Sequence, residues 1–310
     1  TIFPLFLFIA GISFPFSLAK QREKGIGERS IYTKVIRRGL TLVALGLVYN
    51  GLFNLDFATL RLPSVLGRIG LAWMFAAMLF IRFGIRTRIA IAAGILVGYG
   101  LLLQFVAAPD AAGAGPLTEA GNIVGYIDRT IMPAHLYGNR GFDPEGLLST
   151  LPAIVTAMLG MFTGEFVRRS EEQVSGSRKA LRMAAGAAVL LVLALCLDPL
   201  QPVNKKLWTP AFVFAAGAYS LGMFALFYYI IDVRQWRRWS YFFQVIGLNS
   251  ITIYMLQRIV RVSYTSEFFF GGLASKFSPE VASVIFSAGY VTVCWLLLRF
   301  LDRKKIYLKV

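Results

Sequence analysis

The sequence is poor in the residues that metal centres and disulfide frameworks require. It has two cysteines and one histidine in 310 residues. Cys196 and Cys294 both fall inside apolar segments, far apart and without neighbouring histidine or acidic residues. We therefore expect no metal site and no disulfide. The sequence also lacks the GxGxxG and GxxxxGK[ST] patterns of phosphate-binding loops.

Charged residues are scarce as well. They make up 15% of the chain, whereas hydrophobic residues make up 57% and the mean hydropathy is +0.64. Soluble domains carry about 25% charged residues. Long apolar segments recur, and they predict an all-α fold, a polytopic transmembrane helical bundle that forms a single domain over residues 1–310. We expect about nine spans, at roughly 1–19, 39–53, 65–82, 89–106, 146–167, 181–197, 208–231, 241–260 and 281–301.

Basic residues are unevenly distributed among the connecting loops. Of 32 Lys and Arg, 23 lie in or beside one set of alternating loops together with seven acidic residues, which leaves nine basic and nine acidic residues for the other set. This asymmetry is typical of cytoplasmic loops, so it predicts an integral membrane protein with a cytoplasmic C-terminus. Because the net charge of +16 is explained in this way, we expect no nucleic-acid partner.

The stretch from Gly125 to Glu165 combines a polar, irregular half with an apolar helix. Asp143 suits the N-cap of that helix, Pro144 its first position, and Glu145 its first turn, where the helix dipole favours an anion. A well-capped helix and nothing more is one interpretation. The neighbouring polar side chains favour a functional site instead; they are Asp128, Arg129, His135 and Arg140.

Two further outer segments carry candidate residues. Arg68 is expected one turn inside the membrane, where an arginine is costly unless it is paired or lines a wet cavity; the alternative is a side chain that reaches the outer surface. Lys205 and Lys206 stand on the side without basic excess, between Pro202 and Trp208. The alternative there is that Trp208 is an interfacial anchor and the lysines are solvated.

The eighth predicted span contains an unusual number of polar residues. Asn249 and Ser250 lie in its middle, and either a functional role or ordinary hydrogen bonding between helices accounts for them. Towards its outer end, side chains at helical spacing form one polar face; they are Tyr254, Gln257, Arg258 and Arg261.

Several strings together resemble the heparan-alpha-glucosaminide N-acetyltransferase family, and the resemblance runs from Thr1 to Val310 in the same order. They are FPLFLFIAGISF at 3–14, RLPSVLGRIG at 61–70, HLYGNRGFDPEGLLSTLPAI at 135–154, VNKKLW at 203–208, GLNSITIY at 247–254 and RKKIYLKV at 303–310. The resemblance implies a membrane enzyme, here of the bacterial cytoplasmic membrane, that transfers an acetyl group from cytoplasmic acetyl-CoA to the amine of a glucosamine on the far side. A homodimer is a further expectation.

One departure from the family affects the catalytic base. In the family a catalytic histidine lies in a loop before the FPxFLFIxG helix, after a further N-terminal span, and this sequence begins without Met inside that helix motif. We therefore expect one span and the catalytic histidine to precede Thr1. His135 belongs to a different string and is not given that role. The resemblance assigns no residue of this chain to CoA binding.

Acetyl transfer to an amine needs a neutral amine and donors to the thioester oxygen, which gains charge. Asp143 and Glu145 are expected to bind the cationic sugar or to orient the histidine. Asn249 and Ser250 are expected to donate to the thioester carbonyl. The substrate-binding candidates are Arg68, Asp128, His135, Asn204, Lys205, Lys206 and Trp208.

A transporter for an aminosugar or oligosaccharide is the alternative function. Polar residues inside spans, such as Arg68, Asn249 and Gln257, also suit a permeation path. Against this interpretation, the sequence shows no pair of matching broken helices in two halves.

Overall fold

The computed structural model describes residues 2–111, 113–139, 141–169 and 173–308. These residues form α-helices joined by turns and short irregular helices. Within them, the one pairing of extended segments is an isolated antiparallel bridge between Ala107 and Asn122. The predicted all-helical fold is confirmed for this part of the chain.

The helices fall into two compact units, Thr1–Val233 and Arg234–Val310. The first unit contains α1 (Ile2–Glu23), α2 (Glu28–Tyr49), α3 (Val65–Arg82), α4 (Ile85–Phe105), α5 (Ile123–Ile131), α6 (Thr150–Val167), α7 (Gly176–Leu197) and α8 (Pro210–Tyr228), and it ends in a π-helical turn (Tyr229–Val233). The second contains α9 (Tyr241–Leu248), α10 (Ser250–Ile259), α11 (Val262–Ala274) and α12 (Pro279–Arg303).

Within the described residues, seven helices are long and apolar enough to cross a membrane, so the chain is an integral membrane protein. They are α1, α3, α4, α6, α7, α12 and α8 with its π-helical extension. The predicted count of nine is not confirmed. Helix α2 has the length, but its first half carries several basic residues, namely Arg29, Lys34, Arg37 and Arg38.

The predicted continuous helix over 241–260 is wrong, because it is interrupted at Asn249. The backbone there (φ −121°, ψ 26°) leaves the helical region, and α10 begins at the next residue. Asparagine favours such breaks because its side chain competes with the backbone for hydrogen bonds. In this case the Asn249 Oδ1 accepts a bond from Thr252 Oγ1 at 3.3 Å. Two short helices therefore replace the eighth predicted span.

Helices α1 and α6 approach each other closely enough for their backbones to touch. Gly160 and Gly164 of α6 face the carbonyl oxygens of Phe8 and Ile12, and a Cβ atom at either glycine would collide with them. A small residue at every fourth position is a common way for membrane helices to pack at short distance. This contact lies beside the main apolar cluster of the first unit, which includes side chains from α1, α2, α3, α4, α6 and α8.

The helices of the first unit define two ends. Near the starts of α3 and α6 lies the segment Asp143–Gly146, and we call this the DPEG end. Helix α1 runs in the same direction as α6, since its Phe3 ring, near its start, packs 5.2 Å from the Trp208 ring at the DPEG end. At the other end, the Pro15 carbonyl accepts a hydrogen bond from Arg168, which follows α6, at 3.3 Å. We call this the arginine end; it also contains Arg88 and Arg169.

Candidate active site

The segment Asp143–Gly146 forms a tight turn and not the start of a helix. The Gly146 amide donates to the Asp143 carbonyl at 3.0 Å, and the Glu145 amide donates to the Asp143 carboxylate at 2.9 Å. Asp, Pro and Gly at the first, second and fourth positions are the residues that a type I turn prefers, which explains this local conformation. The predicted N-cap role of Asp143 is therefore wrong. Helix α6 begins at Thr150, after Ser149.

Arg61 binds both carboxylates of this turn. Its Nε and Nη2 donate to the two oxygens of Asp143 at 2.8 and 2.6 Å, and Nη2 also donates to Glu145 Oε2 at 2.5 Å. Asp143 is fully buried and receives another bond from the Tyr137 amide at 2.9 Å. Burial lowers the pKa of Arg61, but the hydrogen bonds and charges of the two carboxylates outweigh it and leave the pKa raised. The turn is thus held in one orientation by a charged clamp.

Arg68 lies beneath this turn with only 2% of its surface exposed. Its Nη2 donates to the Gly146 carbonyl at 3.3 Å and to the Ser149 hydroxyl. Its guanidinium carbon lies 4.9 Å from the centre of the Trp208 ring, within the range of a cation–π interaction. Nε and Nη1 are buried and have no hydrogen-bond partner among the described residues. Buried donors are normally paired, so these two are available to an acceptor that enters the site.

Trp208 is fixed in an unfavourable backbone conformation. Its φ of 54° is in the left-handed region, which bulky residues rarely occupy. The ring is buried, donates from Nε1 to Thr156 Oγ1 at 3.2 Å, and packs edge-on against Phe212 at 4.9 Å. Beside it, the Tyr99 hydroxyl donates to the Leu207 carbonyl at 2.5 Å. These contacts place a rigid aromatic face against Arg68.

Asp128 of α5 supports the DPEG turn from behind. It is fully buried, and its carboxylate accepts from the amides of Asp143 at 3.3 Å and Leu147 at 3.0 Å. Burial raises its pKa to about 6 and outweighs the opposing effect of the two hydrogen bonds from backbone amides, while the Asp143 charge adds to the rise. The geometry favours a positioning role, and the expected contact with substrate stays a prediction.

No protein-family model matches the chain. It is 23% identical to human heparan-alpha-glucosaminide N-acetyltransferase over 363 aligned residues, and 23% identical to the mouse enzyme over 365. The chain is a distant relative of these enzymes. All of it is aligned in both cases, but it spans about half the length of the curated relatives it matches, 54% of each.

Two further predicted site residues, His135 and Asn204, make structural contacts at the DPEG end. The His135 Nδ1 donates to the Leu60 carbonyl at 2.8 Å, so the ring connects its loop to the segment that carries Arg61. The Asn204 Oδ1 accepts from the amides of Lys206 at 2.8 Å and Leu207 at 3.3 Å, which shapes the turn before Trp208. Both contacts hold loops in place, and substrate binding by either residue stays a prediction.

The two lysines of the VNKKLW string are exposed. The Lys206 Nζ lies 3.7 Å from Glu119 Oε2 and 5.8 Å from the centre of the Phe142 ring. Lys205 has no contact of this kind among the described residues. Their exposure suits contact with a ligand at the mouth of the site better than inside it.

Asn249 and Ser250 belong to the second unit. Asn249 is 1% exposed, and its Nδ2 is buried without a hydrogen-bond partner among the described residues. Ser250 is the first residue of α10. Their expected contact with the thioester carbonyl stays a prediction. Arg140 lies outside the described residues, and within the described part no group of three or more His, Cys, Asp or Glu side chains is placed to hold a metal ion.

Sequence reasoning missed several residues of the site, chiefly Arg61. Arg61 lies in the RLP string, and the sequence predicts both Arg61 and Asp143 on the outer side. A cation and a carboxylate on the same side are a usable signal. The remaining missed residues carry no such signal, because tyrosine, serine and threonine are common in helices and loops; they are Tyr99, Tyr137, Ser149 and Thr156.

Proposed function

We propose that the chain carries the acceptor-binding and charge-stabilising part of the active site of a membrane acetyltransferase, with acetyl-CoA as the donor and the amine of a glucosamine-type sugar as the acceptor. The observation that carries this proposal is that two groups lie at the same end of the first unit. One is Glu145, a carboxylate held in place by Arg61, and the other is Arg68, a buried arginine with two unused hydrogen-bond donors. The similarity to two N-acetyltransferases over the whole chain supports it.

Glu145 is the residue that we assign to the amine. Its side chain is 13% exposed, and only its Oε2 is bound by Arg61. The other oxygen, Oε1, has no hydrogen bond among the described residues, so it can bind an ammonium group or accept a proton from it. A neutral amine is required for attack on the acetyl carbonyl. Asp143 accepts hydrogen bonds from Arg61 and from two backbone amides, one of them the amide of Glu145, and thereby fixes Glu145 in place.

Arg68 is the residue that we assign to developing negative charge. Its Nε and Nη1 groups lie in a buried setting, where a donor stabilises an oxyanion more strongly than in water. The Trp208 ring and the Gly146 and Ser149 bonds hold the guanidinium still, so little rearrangement is needed during reaction. A carbonyl oxygen of the donor or a phosphate oxygen fits these donors. The expected contact of Asn249 and Ser250 with the thioester carbonyl is a separate prediction.

The expected orientation follows from charge. The arginine end carries Arg88, Arg168 and Arg169, whereas the DPEG end carries paired charges, so the arginine end suits the cytoplasmic side of a bacterial inner membrane. Donor would then enter from the arginine end and the sugar would meet Glu145 on the far side. A homodimer, also expected from the sequence, has no support among the described residues.

Transport of an aminosugar is the second candidate function, and the interruption at Asn249 favours it. Discontinuous helices with polar residues at the break are typical of substrate sites in secondary transporters. We rank it below acetyl transfer because the relatives are named as N-acetyltransferases.

One experiment distinguishes the two functions. Purified protein in liposomes receives labelled acetyl-CoA on one side and glucosamine on the other, and both acetylated sugar and sugar movement are measured. We expect acetylated sugar, and a loss of about 100-fold or more in rate for Glu145→Gln, which lies in the range for removal of an acid–base group. Glu119→Gln, an exposed carboxylate near Lys206, is the matched control and should retain activity. Unmodified sugar that crosses the bilayer without acetylation would establish the transporter.

A further inference from the structure

Two adjoining cavities at the arginine end, one apolar and one polar, together match the two parts of an amphiphile. The first is a groove of about 420 Å³ along α6 and α7. The second is a polar cavity of about 370 Å³ beside the end of α6. Phe162 and Phe166 line both, so the two spaces are neighbours. We propose that together they bind an anionic phospholipid, with one acyl chain in the groove and the phosphate in the polar cavity.

The groove matches an acyl chain. Its walls are almost entirely apolar, with Leu159, Val189 and Leu221 among the lining residues. Gly186 of α7 also lines it, and a Cβ atom there would lie 3.3 Å from a Leu221 methyl group, so the glycine leaves this part of the groove open. From Arg182 to Leu190 the groove follows α7 for about 12 Å at the helical rise per residue.

The groove opens on a surface that faces lipid. Only 17% of the most apolar window of α7 is buried, and Val189 is 59% exposed. An integral membrane protein covers such a surface with hydrocarbon, so an acyl chain can enter the groove sideways from the bilayer.

The polar cavity matches an anionic headgroup. Arg168 and Arg169 line it and are exposed, and Arg182 stands at the edge of the adjoining groove. Among the described lining residues the acidic one is Glu165, and it is neutralised by Arg88, whose Nη2 lies 3.1 Å from Glu165 Oε2. Three arginines therefore remain to meet a phosphate, and guanidinium groups bind phosphate oxygens strongly.

Both arginines of the cavity are also held in position. Arg168 donates to the Pro15 carbonyl at 3.3 Å, and the Arg169 guanidinium lies 5.5 Å from the centre of the Phe166 ring. Phe166 belongs to both cavities, so the arginine and the expected acyl chain share a wall. Basic residues within reach of the headgroup layer at one end of an apolar groove are typical of anionic lipid recognition.

The test is native mass spectrometry of the purified full chain with phosphatidylglycerol or phosphatidylcholine that carry the same acyl chains. We expect phosphatidylglycerol to bind several-fold more tightly. The double variant Arg169→Gln/Arg182→Gln should weaken phosphatidylglycerol about tenfold and phosphatidylcholine little, since each basic residue near the surface contributes on the order of a few-fold. Val189→Phe fills the groove from its exposed edge and should weaken both lipids.

Arg303→Gln/Lys304→Gln, which removes two exposed positive charges from the second unit, is the charge-matched control and should change nothing. Equal binding of the two lipids, or binding that neither the double variant nor Val189→Phe alters, would overturn the proposal. Release of bound lipid by free CoA at low concentration, with no effect of Val189→Phe, would assign the cavity to the donor nucleotide instead and would also overturn it.

Discussion

The two ends of the first unit differ in the burial and pairing of their charged side chains. At the DPEG end, Asp143 and Arg68 are buried and fixed by specific partners. At the arginine end, Arg168, Arg169 and Arg182 are exposed. A buried charged side chain is costly to reorient, whereas an exposed one reorients easily. We infer that the DPEG end is built for one defined reaction geometry and the arginine end for attraction of anions.

The largest expected effect comes from removal of the Arg61 clamp. Arg61→Gln leaves the buried Asp143 carboxylate without its charged partner, and we expect a loss of about 3 kcal/mol in stability. The matched change at the arginine end is Arg22→Gln, which breaks the exposed pair with Glu28 and should cost less than about 1 kcal/mol. Thermal unfolding of both variants in the same detergent measures the difference. Equal losses would contradict the contrast between the two ends.

A smaller effect is expected from Gly146→Ala. A Cβ atom there would lie 2.5 Å from the Asp128 carboxylate carbon, and two hydrogen bonds from backbone amides prevent that carboxylate from moving aside. We expect about 2 kcal/mol of destabilisation, typical of overpacking, together with reduced acetyl transfer. Gly94→Ala in α4 is the control, because a Cβ atom at Gly94 meets nothing within 4 Å. If both variants unfold at the wild-type temperature, the close contact at the DPEG end is absent.

Per pH unit, the smallest effect concerns the pH dependence of stability through Asp128. Its pKa rises from an ordinary value of 3.8 to about 6 in the folded protein, because it is buried. Between these values the folded protein binds more protons than the unfolded chain, so this group's contribution to stability falls as pH rises from about 4 to about 6, by at most about 1 kcal/mol per pH unit. Asp128→Asn should remove that slope. Unfolding temperatures of both proteins over this pH range test it, and parallel curves would refute the assignment.

The fold class could be predicted from the sequence because it depends on long-range composition. Apolar segments such as 65–82 keep their helical character whatever surrounds them, and the prediction of that span agrees with α3. The break at Asn249 could not be predicted in the same way, since polar residues such as Asn249 and Ser250 inside an apolar segment are compatible with a continuous helix. Only the packed structure shows which alternative the backbone takes.

The sequence predicts Asp143 and Glu145 as site residues, and that role stays a prediction. Helix-capping preferences assign Asp143 to the wrong local structure, because Asp143 and Pro144 suit both a helix start and a type I turn. Arg61 decides between them, because its two bonds to Asp143 stabilise the turn from 82 residues away in sequence. Local patterns contain no information on a partner at that distance.

The backbone contact between α1 and α6 has a consequence for motion during the reaction cycle. Side chains in an ordinary helix interface can change rotamer as the helices slide, but Gly160 and Gly164 have none to rearrange. We expect α1 and α6 to travel as one rigid pair. Opening of a path for donor or acceptor must then come from hinges elsewhere in the first unit, and a crosslink that joins these two helices should leave turnover intact.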